Sequence, residues 1–170
     1  MKTLRIRKLV FTALMAALTY VATMVIQIPS PMQGYVNLGD CFVLLSGWLL
    51  GPWWGGAAAG IGSMLTDLLN GYAHYAPGTL VIKACMAITA ALLARVMGKK
   101  PVGYAVSGVA AEAVMVAGYF GYAALLLGKG IAAAASIPGN LVQAAMALVI
   151  APALLALLKR SKALDKLALM

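Results

Sequence analysis

Eleven polar side chains in this 170-residue chain are of types that read or hold a small molecule: Tyr35, Asn37, Asp40, Asp67, Asn70, His74, Lys83, Glu112, Tyr119, Asn140 and Gln143. Carboxylates and amides hydrogen-bond the polar edge of a ligand, and aromatic rings stack on a flat one. Glu112 and Tyr119 stand seven residues apart, two helical turns, and so share a face. Asn140 and Gln143 stand three apart, again on one face. None of these spacings builds a catalytic centre. No two carboxylates are paired and HExxH is absent. Ser63 sits in Gly60-Ile61-Gly62-Ser63 rather than in Gly-x-Ser-x-Gly, and His74 is the single histidine. A lone loop imidazole is more often solvated or packed than a base. No GxxxxGK[ST] run cradles a phosphate, so the chain does not hydrolyse ATP by that route. Cys41 and Cys85 stand alone in apolar runs, too few for a disulfide framework or a zinc site. Neither enzymatic activity nor a resident cofactor or metal is expected.

The elements that must position these residues follow from composition. The chain is 64% hydrophobic and 10% charged, whereas soluble domains carry about 25% charged residues. So few charges cannot clothe a water-facing surface. An all-α integral membrane protein is expected, one domain over 1–170. Thirteen bases against four acids give a net charge of +9, which on its own suits a nucleic acid or an anionic membrane surface. The apolar content decides for the bilayer and against nucleic acid.

A helical span needs about 20 apolar residues. Helices are predicted over 9–28, 38–51, 52–70, 79–97, 102–127 and 138–158. The first follows Lys2, Arg5, Arg7 and Lys8, and its apolar run is too long for the core of a signal peptide, so it is read as a retained helix. Gly51-Pro52 splits the long run after residue 38 into two short helices, with Trp53 and Trp54 as interfacial anchors. Two helices this short must be tilted, or shielded by the others. With six crossings, the amino-terminal bases, Arg95, Lys99 and Lys100, and Lys159, Arg160, Lys162 and Lys166 fall on one side. The positive-inside rule makes that side, and both termini, cytoplasmic. Lys129 alone lies outside, and Lys83 lies within a span.

On this map the polar and aromatic residues collect in the outer half. Asp40 starts helix 2, Asp67 and Asn70 end helix 3, and Lys83 lies about one turn into helix 4. Tyr35 and Asn37 occupy the first outer loop. Tyr72, His74 and Tyr75 occupy the next. A pocket open to the outside is expected rather than a through-channel, which needs polar groups along its whole length. Each residue also has a plainer role. Lys83 and Asp67 lie at similar depth and could neutralise one another. Glu112 could be hydrogen-bonded within the bundle, or serve a ligand or a gate. Tyr119 could be an interfacial anchor. Ala13 and Ala17 put two small residues on one face of helix 1, and Gly56 and Gly60 do the same on helix 3, which permits close helix contact in lipid.

Together these features resemble the substrate-binding S component of energy-coupling factor (ECF) vitamin transporters, riboflavin-type and related. The resemblance is carried by Gly34-Tyr35-Val36-Asn37-Leu38-Gly39-Asp40, Leu50-Gly51-Pro52, Thr66-Asp67-Leu68-Leu69, Gly71-Tyr72 and Pro77-Gly78-Thr79, and by the Ala13/Ala17 pair. It implies a subunit of a prokaryotic cell membrane that binds a vitamin from outside and works with a membrane coupling subunit and two cytosolic ATPases. Tyr35, Asn37 and Asp40 would then belong to a lid. Lys83, Glu112, Tyr119, Asn140 and Gln143 would line the pocket, and Ala13 and Ala17 would meet the coupling subunit. A heteroaromatic substrate stacked by Tyr or Trp fits: riboflavin first, then pyridoxine, hydroxymethylpyrimidine or a queuosine precursor. The alternative is a stand-alone secondary transporter, proton-coupled through Glu112.

Overall fold

The computed structural model describes residues 2–30 and 34–161. Lys162 and Lys166 of the basic tail, and Pro31 in the break after the first helix, lie outside these residues. Six α-helices form: α1 (Lys2–Val25), α2 (Gly39–Leu50), α3 (Pro52–Leu69), α4 (Ala76–Val96), α5 (Pro101–Gly121) and α6 (Ile137–Arg160). Helix α1 starts seven residues earlier than predicted, taking the basic residues into its first turns. It also ends earlier, because Pro29 drives the residue before it into extended backbone. The following segment, expected as an irregular loop, is a two-stranded antiparallel hairpin, β1 (Ile28–Ser30) and β2 (Gly34–Val36), with Pro29 opposite Tyr35.

The break between α2 and α3 lies where the sequence placed it. Gly51 has φ +81, a backbone region open to glycine and strained for other residues. Pro52 follows as the first residue of α3, where its missing N–H is no loss. Trp53 beside it is 78% exposed.

Helix α2 is the axis of the molecule. At 12 residues it is about 18 Å long, well short of a ~30 Å bilayer core. It is shielded rather than exposed: it packs against all five other helices, and nine of its residues are buried. Around it run α1, α3, α4, α5 and α6 in turn, each touching the next. Small residues set the closest approaches. Gly47 lies against the backbone of Ala87, Gly62 against that of Ala16, and a Cβ on Gly60 would come within 2.7 Å of the Leu80 carbonyl. The small-residue face of α3 therefore serves packing within the bundle. Thr12, Thr19 and Thr23 on α1 donate to the carbonyls four residues back, at 2.7–2.8 Å, which satisfies their hydroxyls inside an apolar helix.

The outer surface is apolar. Leu9, Val10, Leu14 and Val21 on α1, Val102 and Val109 on α5, and Leu141 and Val149 on α6 are all exposed. In water such a surface would aggregate. Among the described residues, four helical stretches are long and apolar enough to cross a bilayer: Arg5–Val25, Ala76–Val96, Pro101–Leu126 and Gly130–Arg160. This is an all-α membrane protein.

Candidate functional site

The amino-terminal ends of α2, α4 and α6 and the carboxy-terminal ends of α1, α3 and α5 meet at one end of the bundle. There they line a partly open cavity of about 90 Å³. The turn carrying Lys99 and Lys100, and the end of α6 carrying Lys159 and Arg160, lie at the opposite end. Two segments border the mouth of the cavity as partial covers. One is the β1–β2 hairpin with the residues leading into α2. The other is the α5–α6 connection, a π-helical turn (Tyr122–Leu126) followed by a 3-10 segment (Gly130–Ser136). The second cover is tied to the α3–α4 loop: Lys129 Nζ donates to Tyr75 Oη at 2.9 Å, and Tyr122 Oη to the His74 carbonyl at 2.9 Å.

Tyr35, Tyr72, Tyr75 and Tyr119 furnish the aromatic lining. The Tyr35 and Tyr72 rings lie 5.5 Å apart, centre to centre, within the range of favourable aromatic pairs. No tryptophan takes part. Trp48 is buried elsewhere, with its indole N–H on Ser107 at 3.0 Å and its ring edge-on to Tyr104. The sequence expectation of Tyr or Trp stacking narrows to tyrosine.

Beneath the rings runs a hydrogen-bonded chain. The Asn37 backbone N–H and side-chain amide both donate to Gln143 Oε1, at 3.0 and 2.9 Å. Gln143 Nε2 donates to Asp40 Oδ2 at 2.6 Å. The other Asp40 oxygen forms an ion pair with Lys83 Nζ. Asp40, Lys83 and Gln143 are each at most 4% exposed. Lys83 also sits 5.3 Å from the centre of the Tyr119 ring. Asn37 Oδ1 accepts from Gly39 N–H at 2.8 Å, an Asx turn that leads the chain into α2. The hairpin cover is thereby fastened to α6 and, through α2, to α4.

A second cluster surrounds Asp67. Tyr35 Oη donates to its Oδ1 at 3.1 Å and the Thr79 hydroxyl to its Oδ2. Tyr119 Oη in turn donates to Thr79 at 3.1 Å. Burial, followed by the Asp67 carboxylate, pushes the Tyr35 hydroxyl well above the ordinary phenol range. It therefore remains a donor at any physiological pH.

Of the eleven predicted residues, Tyr35, Asn37, Asp67, Lys83, Tyr119, Asn140 and Gln143 line this cavity. Asp40 does not line it but holds two residues that do. The pairing of Lys83 with Asp67 is corrected: the lysine pairs with Asp40, and Asp67 is held by hydroxyls. Asn70 lies at the end of α3, outside the lining, with its Nδ2 buried and unpartnered. His74 is exposed, its ring 4.8 Å from that of Tyr75 at the rim. Glu112 departs furthest. It is 3% exposed and faces a separate apolar cleft between α5 and α6, walled by Val109, Val116, Phe120, Ile137, Leu141 and Leu148 among others. Neither of its carboxyl oxygens has a hydrogen-bond partner among the described residues, so the expectation that it is bonded within the bundle fails. Glu112→Leu is accordingly expected to stabilise the fold by about 1–3 kcal/mol and to leave the tyrosine-lined cavity unchanged. Chemical unfolding in detergent checks this, and a loss of stability would show that the carboxyl has a partner.

Thr79, Ser63, Thr23, Ser136, Tyr72 and Tyr75 were not among the predicted site residues and line the cavity. Thr79 carried a signal. It lies four residues before Lys83, on the same helical face.

The sequence pattern of the family described as "ECF-type riboflavin transporter, S component" matches residues 3–160. A protein of Pyrococcus woesei, described only as an uncharacterized protein in a gap 3' region, is 37% identical over 144 residues, covering 82% of this chain and 93% of its own length. A tyrosine-lined cavity lies at one end of an apolar helical bundle. The match over nearly the whole chain identifies it: the chain belongs to the family of S components of ECF-type riboflavin transporters, which are transport subunits and not enzymes.

Proposed function

We propose that this chain captures a small heteroaromatic vitamin from outside the cell and hands it to an ECF-type import machine. The observation that carries the reading is the cavity itself: the rings of Tyr72, Tyr75 and Tyr119 and the amide of Asn140 line it, with Tyr35, Asn37 and Gln143 at its cover. Rings of this kind stack a planar heterocycle, and amides read its carbonyl and N–H edge. Riboflavin leads on family membership, followed by pyridoxine, hydroxymethylpyrimidine and a queuosine precursor. The protein crosses a prokaryotic cell membrane six times with both termini cytoplasmic. The basic ends of α4 and α6 then lie inside and the cavity outside.

The partners are a membrane coupling subunit and two cytosolic ATPases. Ala13 and Ala17 are exposed, on the side of α1 away from buried Met15 and Thr19. A small-residue face turned away from the bundle lets another helix approach closely. Ala17→Trp is expected to reduce ATP-dependent riboflavin uptake to background in proteoliposomes containing the partners, while changing the riboflavin Kd by less than about twofold. Loss of vitamin binding in that variant would place the alanine face inside the fold. Riboflavin uptake by the chain alone, driven by a proton gradient, would favour the secondary transporter instead. That alternative draws on Glu112, which lies off the cavity.

A further inference from the structure

The cavity, open on one side, has an inner part of about 90 Å³, smaller than the several hundred Å³ that vitamin-sized ligands fill. A ligand that seats fully within it displaces a group from its wall. Tyr35 is the side chain best placed to leave. It belongs to the hairpin cover, is half-buried, and its hydroxyl donates to Asp67 Oδ1 at 3.1 Å, with the Asn70 side chain beside it. The deeper fastening, Asn37 to Gln143, is made twice and is buried. Asp67 is itself unusual. It is 7% exposed, lines the cavity, and is not part of the Lys83–Asp40 ion pair, the one salt bridge among the described residues. Two neutral hydroxyls, from Tyr35 and Thr79, are its donors, and Thr79 is steadied by Tyr119.

We infer that Asp67 is a specificity-determining residue that accepts a neutral N–H or O–H donor of the ligand in the place held by the Tyr35 hydroxyl when the site is empty. The inference rests on the vitamin-binding reading above and adds to it a class of substrate: uncharged at this point and carrying a donor. A buried carboxylate oxygen left without its donor is costly, so a ligand that evicts Tyr35 from Asp67 Oδ1 and offers no donor is penalised, although Thr79 still holds the other oxygen. An anionic group set against Asp67 is repelled, and Lys83, already paired with Asp40, offsets this only in part. The Tyr35 hydroxyl is thus a competitor of the ligand and not one of its contacts.

Titration with flavins tests this. In the unaltered chain riboflavin should bind at least about tenfold more tightly than whichever of two analogues lacks the decisive donor: 3-methylriboflavin, without the imide N–H, or lumiflavin, without the ribityl hydroxyls. Asp67→Asn should weaken riboflavin and reduce that discrimination to about twofold or less. Tyr35→Phe should bind riboflavin about tenfold more tightly than the unaltered chain, because the competing hydroxyl is gone. Weaker binding by Tyr35→Phe overturns the inference by making the phenol a ligand contact, and so does undiminished discrimination in Asp67→Asn. In both cases the unaltered chain still binds riboflavin, and the proposed function stands. If the unaltered chain binds no flavin, a riboflavin site falls, and this inference with it.

Discussion

Asp40→Ala lowers the stability of the chain by ~3–5 kcal/mol, the usual consequence of leaving one partner of a buried ion pair alone. Lys83 is 4% exposed, and its ammonium is paired with Asp40 at the heart of the helix cluster. The same substitution orphans Gln143 Nε2, which donates to Asp40 at 2.6 Å. The position of Asp40 in the first turn of α2 adds to its worth, because a carboxylate there is favoured by the helix dipole. Urea unfolding in detergent micelles, followed by tryptophan fluorescence, reads the loss. The double variant Asp40→Leu with Lys83→Met should recover most of it, since apolar groups of similar volume often replace a buried pair without penalty. A neutral effect of Asp40→Ala would mean that water reaches Lys83 and that the network is not closed.

Gln143→Leu loosens the hairpin cover and weakens riboflavin binding about 100-fold, equivalent to ~2.7 kcal/mol. The replacement keeps the side-chain volume near that of glutamine and removes all three hydrogen bonds. Asn37 loses the acceptor for its backbone N–H and for its amide, and Asp40 loses a donor. The segment joining the hairpin to α2 then has no polar attachment to α6. Amide hydrogen exchange should rise over Tyr35–Leu38 while the interior of α2 stays protected. If affinity falls with no change in exchange, Gln143 acts through direct contact with the vitamin and not through the cover.

How far the sequence anticipated this arrangement depended on what kind of information each feature needed. The α2–α3 break was readable because glycine and proline have local conformational meanings, and Gly51 and Pro52 use both. The residues of the cavity were mostly readable because polar groups are rare in so apolar a chain, and rare polar groups at membrane depth serve a purpose. Partners were not readable. Asp40 and Asp67 lie at the same end of the bundle, both near α4, and depth along a helix says nothing about which side of it faces Lys83. Only the central place of α2 decides that, and it is a property of the whole packing. Glu112 and Tyr119 do lie two turns apart on α5, yet the cavity does not extend as deep as Glu112, which meets a separate cleft beside α6. The hairpin was invisible for another reason. Its strands are three residues long, shorter than the four or so residues needed to show alternation.

The chain alone is expected to bind one vitamin in the tyrosine-lined cavity. Riboflavin fluorescence, titrated against the purified chain in detergent without ATP or partner subunits, tests it most directly. Quenching should saturate at one riboflavin per chain, with a Kd on the order of nanomolar, and weaken sharply in Tyr119→Ala. Binding that does not saturate, or that Tyr119→Ala leaves unchanged, would contradict it.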